Sequence, residues 1–331
     1  MFKETAEVLD AAFAFYDEMR AGGVPTEDAR FHLPLYTRTN IQSKGDAREL
    51  MHLHSMSRTE WMPSIIRETV GDMMDQLEKK YPLLFTERAA SYETLAWLPA
   101  AQLFYPENGT IKKIAEENEK PDFKTGEPAL VTMLDRADAL PLDEIALAKA
   151  VWERDEAELA NLKHVHYTFL VKMSMAAFHQ AIRQRTWDQS VESIDDAARR
   201  RNVKLPTSIE KSDFAEAYEK INRDMLKLYT DLYCTDGFPQ QEAIGVLPHS
   251  LMVYDLVHVN GWNAIHAIGK RTCTKAQWEI REIANLMAEK MRESNPELGT
   301  YVQPQGVNYG KCPERGPCGY CDQILRKMNL E

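Results

Sequence analysis

Several features that mark membrane or secreted proteins are missing from this sequence. No run of about 18 apolar residues occurs, so no membrane-spanning helix and no membrane partner are predicted. The chain does not open with a basic stretch followed by an apolar one, and a cytoplasmic protein is therefore expected. Its five cysteines are an odd number, which fits a reducing compartment better than a disulfide scaffold.

Positive charge is also scarce. The chain has 40 Lys and Arg against 51 Asp and Glu, which gives a formal net charge of -11. Proteins that bind double-stranded nucleic acid neutralise many phosphates with basic surface, so no nucleic-acid partner is expected. A single nucleotide in a local basic pocket remains compatible with this charge. The 331 residues, 44% of them hydrophobic, suffice for one large domain or two ordinary ones.

Helical periodicity dominates the apolar pattern. Residues 163–175 differ, because their alternation and their β-branched and aromatic content predict a strand. Residues 105–128 are polar and lack a hydrophobic period, which predicts an exposed linker between an N-terminal part, 1–104, and a main part, 129–331. A basic, polar turn region is predicted at 198–212. Helices are predicted at 2–22, 45–56, 63–81, 142–155, 176–185 and 213–233, with a short one that breaks at Pro34.

An internal repeat emerges when the sequence is compared with itself at an offset of 214 residues. Two helical segments that merely share common residues would be the alternative explanation, but proline and histidine are among the matched positions. The identical pairs include Pro25 and Pro239, Ala29 and Ala243, Leu33-Pro34 and Leu247-Pro248, His52 and His266, Arg67-Glu68 and Arg281-Glu282, and Pro82 and Pro296.

The stretch FHQAIRQRTWDQSVES, residues 178–193, combines apolar spacing with anion-binding side chains. Arg183, Gln184 and Arg185 lie between two apolar segments, and the pattern places the two arginines on the side that otherwise resembles core. A guanidinium pairs with carboxylate, phosphate or carbonyl oxygens in a fixed fork, so a ligand site is one interpretation. Ordinary salt bridges with the abundant acidic residues are the other.

Three segments resemble one known family, the flavin-dependent thymidylate synthases. The C-terminal stretch 238–287, with VLP, Asn260, Arg271 and AQWEIRE, resembles that family's second half. VPTEDARFHLPLYTR and DARELMHLHSM resemble the same half again, and 164–193 resembles the first half, with RQR where the family has R-H-R. The resemblance covers about two thirds of the chain. It implies a helix-rich mixed α/β fold with an internal repeat, arranged as a pseudo-dimer.

The resemblance also implies a function and a set of site residues. The family methylates C5 of dUMP to give dTMP, with FAD, NADPH and methylenetetrahydrofolate. Arg271 falls on the arginine that binds and polarises the uracil ring, and Ser193 falls on the serine near the phosphate, so these two are the expected catalytic residues. The expected substrate-binding residues are Gln180, Arg183, Arg30 and Arg271, and the expected cofactor-binding residues are His164, Arg183, Arg185, Asn260 and His266.

Several positions depart from the family pattern. The first half has Asp188 and Asp195 where the family has a serine and a phosphate-binding arginine, and a carboxylate there repels phosphate. The C-terminal copy has Ile244 in place of a nucleotide-binding arginine, which the N-terminal copy keeps as Arg30. The remaining departures are Gln184 for histidine, Ser190 for asparagine, Val191 for glutamate and, in the N-terminal copy, Ser57 at the position of Arg271.

These departures leave two functional hypotheses. The first is an enzyme that methylates a uracil nucleotide and forms a homodimer or another homo-oligomer. The second is a degenerate member of the family without thymidylate synthase activity, which binds a flavin, a nucleotide or a metal, or acts on another pyrimidine.

The C-terminal stretch KCPERGPCGYC contains the remaining chemical signal. Cys312, Cys318 and Cys321 follow a C-x5-C-x2-C spacing, and Cys273 is a candidate fourth ligand two residues after Arg271. Thiolates at such spacing bind zinc or an iron–sulfur cluster. Unrelated tail cysteines are the alternative.

Overall fold

The chain consists of two compact units, each built from two stretches of sequence. The computed structural model describes residues 2–58, 62–85, 102–104, 109–119, 122–138, 144–153, 159–314 and 316–328. Unit 1 comprises Met1–Glu127 and Val191–Met252, and unit 2 comprises Pro128–Ser190 and Val253–Glu331. The second unit begins at the end of the predicted linker, but residues 191–252 belong with the N-terminal part, which the sequence division did not anticipate.

Helices make up most of both units, and four strands form a single sheet. The strands are β1 (Leu130–Asp138), β2 (Val165–Ser174), β3 (Asp188–Val191) and β4 (Met252–Asn260). The helices are α1 (Phe2–Ala21), α2 (Thr26–Ala29), α3 (Ala47–Ser57), α4 (Ser64–Lys80), α5 (Gly109–Asn118), α6 (Glu144–Glu153), α7 (Met175–Ala181), α8 (Ile194–Arg200), α9 (Thr207–Glu210), α10 (Ala215–Tyr233), α11 (Gln240–Ala243), α12 (Gly261–Asn263), α13 (Gly269–Arg271), α14 (Trp278–Ser294), α15 (Pro296–Gly299), α16 (Gln305–Asn308) and α17 (Tyr320–Met328).

Two polar stretches are more regular than their composition suggested. The predicted linker contains α5, which buries Ala115 although its other side chains are mostly polar. Residues 105–108, 120 and 121 of that linker lie outside the described residues. The predicted turn region at 198–212 contains the end of α8 and the short helix α9. In both places a helix forms around few apolar residues, so the hydrophobic period was too weak to reveal it.

Unit 1 is held by the packing of α1 on α10. Ala12, Phe15 and Met19 are buried at helical spacing on α1, and Met225 and Leu232 are among the buried residues of α10. These two helices come from opposite ends of the unit. Their shared apolar face explains why residues 191–252 join the N-terminal part.

Two segments of unit 1 also meet through reciprocal hydrogen bonds. The Leu35 amide donates to the Leu247 carbonyl at 2.8 Å, and the His249 amide donates to the Leu33 carbonyl at 3.1 Å. The bonds flank an antiparallel bridge between Pro34 and Pro248. Each donor and each acceptor thus has its counterpart 214 residues away, so the contact has local two-fold character.

Secondary structure follows the same offset elsewhere in the chain. Three elements of the N-terminal part have counterparts of equal length 214 residues later. The pairs are α2 with α11, Arg30–His32 with Ile244–Val246, both 3-10 helices, and α4 with α14.

The sheet belongs to unit 2 and has the strand order β1-β2-β4-β3. Strands β1 and β2 pair antiparallel from Leu130 opposite Lys172 to Asp138 opposite Val165, with an irregularity between Met133 and Asp135. Helix α14 packs against β1 and β2. Its buried residues recur every three or four positions and are Ile280, Ile283, Ala284, Met287, Ala288 and Met291. No helix within the described ranges has both the length and the apolar character needed to cross a membrane.

Candidate active site

Three side chains of unit 2 form what we call the arginine cluster: Arg183, Gln184 and Arg271. With its amide oriented to satisfy both groups, Gln184 Oε1 accepts hydrogen bonds from Arg271 Nη2 at 2.5 Å and from Nε at 2.7 Å. Burial lowers the pKa of Arg271, and the positive charge of Arg183 lowers it further. The sequence marked Gln184 as a departure from the family histidine, and its spacing from Arg271 in the chain gave no sign that the two residues meet.

The electrostatics of the cluster favour a ligand rich in oxygen. Both causes of the lowered pKa disfavour the charged form of Arg271, and both are relieved when negative charge approaches it. A guanidinium has more N–H donors than the two that Gln184 occupies. The cluster can therefore bind an anion, or polarise a carbonyl oxygen on which negative charge develops.

The two arginines of the RQR stretch are exposed rather than directed into the core. Helix α7 ends at Ala181, and Arg183 and Arg185 follow it with exposed side chains. The expectation that they occupy the buried side of a helix is thus wrong, because the helical period does not continue to residue 185. Their exposure makes them accessible to a ligand.

An irregular helix places Arg271. Asn260 caps α12 by accepting a hydrogen bond from the Asn263 amide at 2.9 Å. A π-helical turn, Ala264–Ile268, then joins α12 to α13, which ends at Arg271. Such turns are rare and recur at functional sites. The corresponding segment of the N-terminal part, α3, is a regular helix.

Glycine at position 269 lets the C-terminal tail approach this turn. A Cβ on Gly269 would lie 2.6 Å from the carbonyl oxygen of Gln303, so any larger residue would displace the backbone there. Farther along the tail, Gln305 Nε2 lies 3.0 Å from Nδ1 of the exposed His266. The tail thus forms one wall beside Arg271, and Gln305 restrains the imidazole ring of His266.

The other predicted cofactor residues of unit 2 lie at the ends of strands. His164 is exposed and ends the 3-10 helix that leads into β2. Asn260 ends β4, and because its Oδ1 serves the helix cap, its Nδ2 remains to donate to a ligand. Gln180 is partly buried on α7.

Helix α7 is fixed at its start by a buried carboxylate. Glu279 accepts from the Ser174 amide at 2.9 Å and from the Ser174 hydroxyl at 2.5 Å, and both residues are fully buried. The Ser174 hydroxyl oxygen in turn accepts from the Ala177 amide. This chain of bonds joins α14 to the helix that carries Gln180 and leads to Arg183.

Replacing Glu279 with alanine should destabilise unit 2. The Glu279→Ala change leaves the Ser174 amide and hydroxyl without their buried acceptor, so we expect a loss of about 2–3 kcal/mol in the free energy of unfolding. Equilibrium unfolding in urea measures it. The exposed Glu289→Ala on the same helix is the matched control and should stay within about 0.5 kcal/mol of wild type. Equal stability of the two variants would contradict this role for Glu279.

Ser193 and Arg30 lie in unit 1. Ser193 is buried and caps α8, where its hydroxyl accepts from the Asp195 amide at 3.2 Å. Arg30 is exposed at the start of a 3-10 helix. The cap orients the Ser193 hydroxyl, and the guanidinium of Arg30 is accessible to solvent.

Two departures from the family pattern share one cavity in unit 1. Asp195 and Ile244, each at a position where the family has an arginine, line a cavity of about 80 Å³ together with Gln240 and Gln241. Burial raises the pKa of Asp195, although the Tyr229 hydroxyl donates to its carboxylate at 2.5 Å. This cavity is therefore poorly suited to a phosphate group.

The third departure, Asp188, lies near a histidine pair in unit 2. Its carboxylate is 3.5 Å from His258 Nδ1, and the His258 ring stacks on His166 with 5.0 Å between centroids. A protonated His258 would offset the negative charge of Asp188.

Asp255 is a buried titratable group that motif reasoning missed. It is fully buried on β4, and burial raises the pKa of its carboxyl to about 7. Gln189 Nε2 donates to its Oδ2 at 2.8 Å, whereas Oδ1 has no hydrogen-bond partner in the described part of the chain. The available signal was a lone aspartate inside the apolar run MVYDLV.

All four predicted metal ligands lie in unit 2 as free thiols. Cys321 is buried, Cys273 and Cys312 are partly buried, and Cys318 is exposed. Among the residues that the structure describes, no three or more His, Cys, Asp or Glu side chains form a group that could hold a metal ion. The predicted ligand set is thus not assembled as a metal centre here.

Comparison with known proteins identifies the class and the family. Residues 2–83 and 93–297 match the model of the thymidylate synthase complementing protein family. The chain belongs to this family, so the resemblance seen in its sequence is confirmed. Its relatives are methylating enzymes named flavin-dependent thymidylate synthases, and the prediction of an enzyme of this type is confirmed as well.

Three relatives illustrate the degree of similarity. The flavin-dependent thymidylate synthase of Sulfurisphaera tokodaii is 31% identical over 191 residues, which are 55% of this chain and 72% of the relative. That of Pyrococcus furiosus is 29% identical over 46% of this chain and 67% of the relative. That of Geobacter sulfurreducens is 31% identical over 50% of this chain and 73% of the relative.

Among solved structures, the UMP/dUMP methylase PolB from Streptomyces cacaoi bound to 5-Br dUMP has a TM-score of 0.45 and 16% sequence identity. The match covers 58% of this chain and 100% of that one. A likeness of this degree carries no argument about function.

Removing Gln184 tests how the arginine cluster is organised. Without its amide oxygen, Arg271 loses two hydrogen bonds that fix the guanidinium plane, so we expect Gln184→Ala to lower kcat/KM about tenfold. Steady-state kinetics with dUMP measures it, with the exposed Gln42→Ala in unit 1 as the control. An unchanged kcat/KM in Gln184→Ala would show that the plane of Arg271 is fixed by other contacts.

Proposed function

We propose that the protein methylates C5 of dUMP to give dTMP, using methylenetetrahydrofolate, NADPH and FAD. The observation that carries this proposal is the arginine cluster, in which Arg271 is half-buried, oriented by Gln184 and electrostatically unsatisfied because of Arg183. Such a group suits a ligand whose carbonyl oxygen gains negative charge during the reaction.

Arg271 would bind a carbonyl oxygen of the uracil ring. As C5 attacks the one-carbon unit, electron density is drawn from the ring, and the guanidinium stabilises the enolate-like charge that develops beforehand on the oxygen. Gln184 holds the guanidinium plane, which reduces the reorganisation needed in the transition state. Arg183, exposed beside it, is available to the nucleotide or the flavin.

The donor set of unit 2 is chemically suited to FAD. Arg183 and Arg185 offer guanidinium groups to a pyrophosphate, while His164, His266 and Asn260 Nδ2 offer neutral donors to ring atoms. All of these side chains except Asn260 are exposed, and Asn260 is partly so. Bound FAD would supply the reducing equivalents that convert the transferred carbon into a methyl group, and NADPH would restore them.

A related uracil compound is the second candidate substrate. Asp195 and Ile244 leave the 80 Å³ cavity without a phosphate-binding arginine, which favours a substrate that places no phosphate there. The degenerate, inactive protein would share this cavity but would not need the oriented Arg271. Assays with dUMP, UMP and uridine side by side distinguish these possibilities.

The 214-residue correspondence supports a duplicated architecture. The reciprocal bonds around Pro34 and Pro248 resemble an interface between two equivalent subunits, here within one chain. We infer a pseudo-dimer that associates further into a homodimer. Light scattering during size-exclusion chromatography measures the assembly, and a monomer at micromolar concentration would contradict the homodimer.

Flavin binding gives the first test of the proposed function. Purified protein is titrated with FAD, and the visible spectrum is followed as dUMP is added. We expect flavin to co-purify or bind, with absorption bands that shift on dUMP addition in wild type and shift less in Arg271→Ala. A protein that takes up no FAD would overturn the proposal.

A further inference from the structure

Four cysteines gather beside the turn that carries Arg271. Cys273 follows that turn, Cys312 and Cys318 lie in the tail, and Cys321 lies in the first turn of α17. All are free thiols, as is the fifth cysteine, Cys234, which is exposed in unit 1. The site proposed above uses none of them.

Glycine at position 306 brings two of these cysteines together. A Cβ on Gly306 would lie 2.7 Å from Sγ of Cys321 and 2.8 Å from Cα of Cys312, so only glycine leaves space for both. The side chains of Cys312 and Cys321 are hydrogen-bonded to each other. The 4% exposure of Cys321 shows that this contact is buried.

The other two cysteines surround the same pair. Cys318 Sγ lies 3.0 Å from the hydroxyl of Thr274, the residue after Cys273. The thiol of Cys321 is within electrostatic range of both Cys273 and Cys318. Cys273, Cys312 and Cys321 line a single cavity of about 180 Å³, which has ample room for one metal ion.

Basic side chains offset the negative charge that such a site would carry. A divalent ion bound by four thiolates has a net charge of about -2. Lys270, Arg271 and Lys275 line the same cavity as the cysteines. The surroundings thus favour thiolates over neutral thiols.

We propose that Cys273, Cys312, Cys318 and Cys321 bind one zinc ion and thereby fasten the C-terminal tail to the turn that ends at Arg271. Zinc takes four sulfur ligands in tetrahedral geometry. The four thiols do not converge as a metal-holding group within the described residues, so side-chain rotations about the 180 Å³ cavity complete the ligand set. The thiol protons leave to the buffer as the zinc–sulfur bonds form.

Metal analysis of the full-length protein tests this proposal. Wild type, Cys312→Ser, Cys318→Ser and the control Cys234→Ser are purified under reducing conditions without chelators, and zinc per chain is measured by mass spectrometry. We expect about one zinc in wild type and in Cys234→Ser, and at least a tenfold lower content in Cys312→Ser. Cys318 is exposed, so Cys318→Ser should fold normally by circular dichroism and still lose at least tenfold in zinc affinity against a chelating dye.

Three results would overturn the proposal. The first is a wild-type protein without zinc after growth in zinc-supplemented medium, whose cluster thiols react with Ellman's reagent as fast as Cys234. The second is iron with acid-labile sulfide, which would replace zinc as the occupant. The third is a disulfide between Cys312 and Cys321 in protein isolated under reducing conditions.

Discussion

Replacing Arg271 with alanine should lower kcat/KM for dUMP by about 100- to 1,000-fold, which corresponds to about 2.7–4 kcal/mol of transition-state stabilisation. The guanidinium is half-buried, oriented by Gln184 and disfavoured in its charged form by burial and by Arg183. Its interaction therefore strengthens as negative charge develops on the substrate. Most of the loss should fall on kcat, because the stabilised charge is greatest in the transition state.

The same substitution should leave stability unchanged or slightly raised. Removing Arg271 relieves its repulsion with Arg183, so a loss of activity through unfolding is not expected. Arg292→Ala, at an exposed position of α14, is the control for removing a positive charge from unit 2. Activity of Arg271→Ala within threefold of wild type would remove the arginine cluster from the catalytic account.

Asp255→Asn should change how stability depends on pH. The folded state raises the pKa of Asp255 from its ordinary value near 3.8 to about 7, so between these pH values the folded chain holds a proton that the unfolded chain has lost. The contribution of this carboxyl to stability therefore falls as pH rises through that window. The change corresponds to about 4 kcal/mol, after which the contribution is constant.

Asparagine does not titrate and retains an oxygen that can accept from Gln189. The stability of Asp255→Asn relative to wild type should thus increase by about 4 kcal/mol between pH 4 and pH 8. Urea unfolding across that range measures it, and the exposed Asp213→Asn serves as the control. A difference between Asp255→Asn and wild type that is the same at every pH would mean that Asp255 is ionised in the folded protein throughout.

Long periodic segments were predictable because their signal is local. Helices α1, α4 and α10 and strand β2 all lie where apolar spacing predicted them. The association of residues 191–252 with the N-terminal part was not predictable in this way, because it depends on which apolar faces meet after folding. Polar helices such as α5 give too little hydrophobic contrast to be recognised.

The site was predictable only where a motif fixed it. Arg271, Gln180 and Asn260 could be named from the resemblance, but neither the bond between Gln184 and Arg271 nor the shared cavity of Asp195 and Ile244 could be read from spacing. These contacts join residues far apart in the chain, and their geometry is set by the fold as a whole. The exposure of Arg183 was missed for a local reason, since α7 ends two residues before it.

The most direct test of the central claim is to identify the product. Protein with FAD, NADPH and methylenetetrahydrofolate carrying a deuterated methylene group is incubated with dUMP, and the nucleotides are analysed by mass spectrometry. The account predicts dTMP with the label in its methyl group, formed by wild type and almost absent with Arg271→Ala. Recovery of unchanged dUMP from protein that has FAD bound would contradict it.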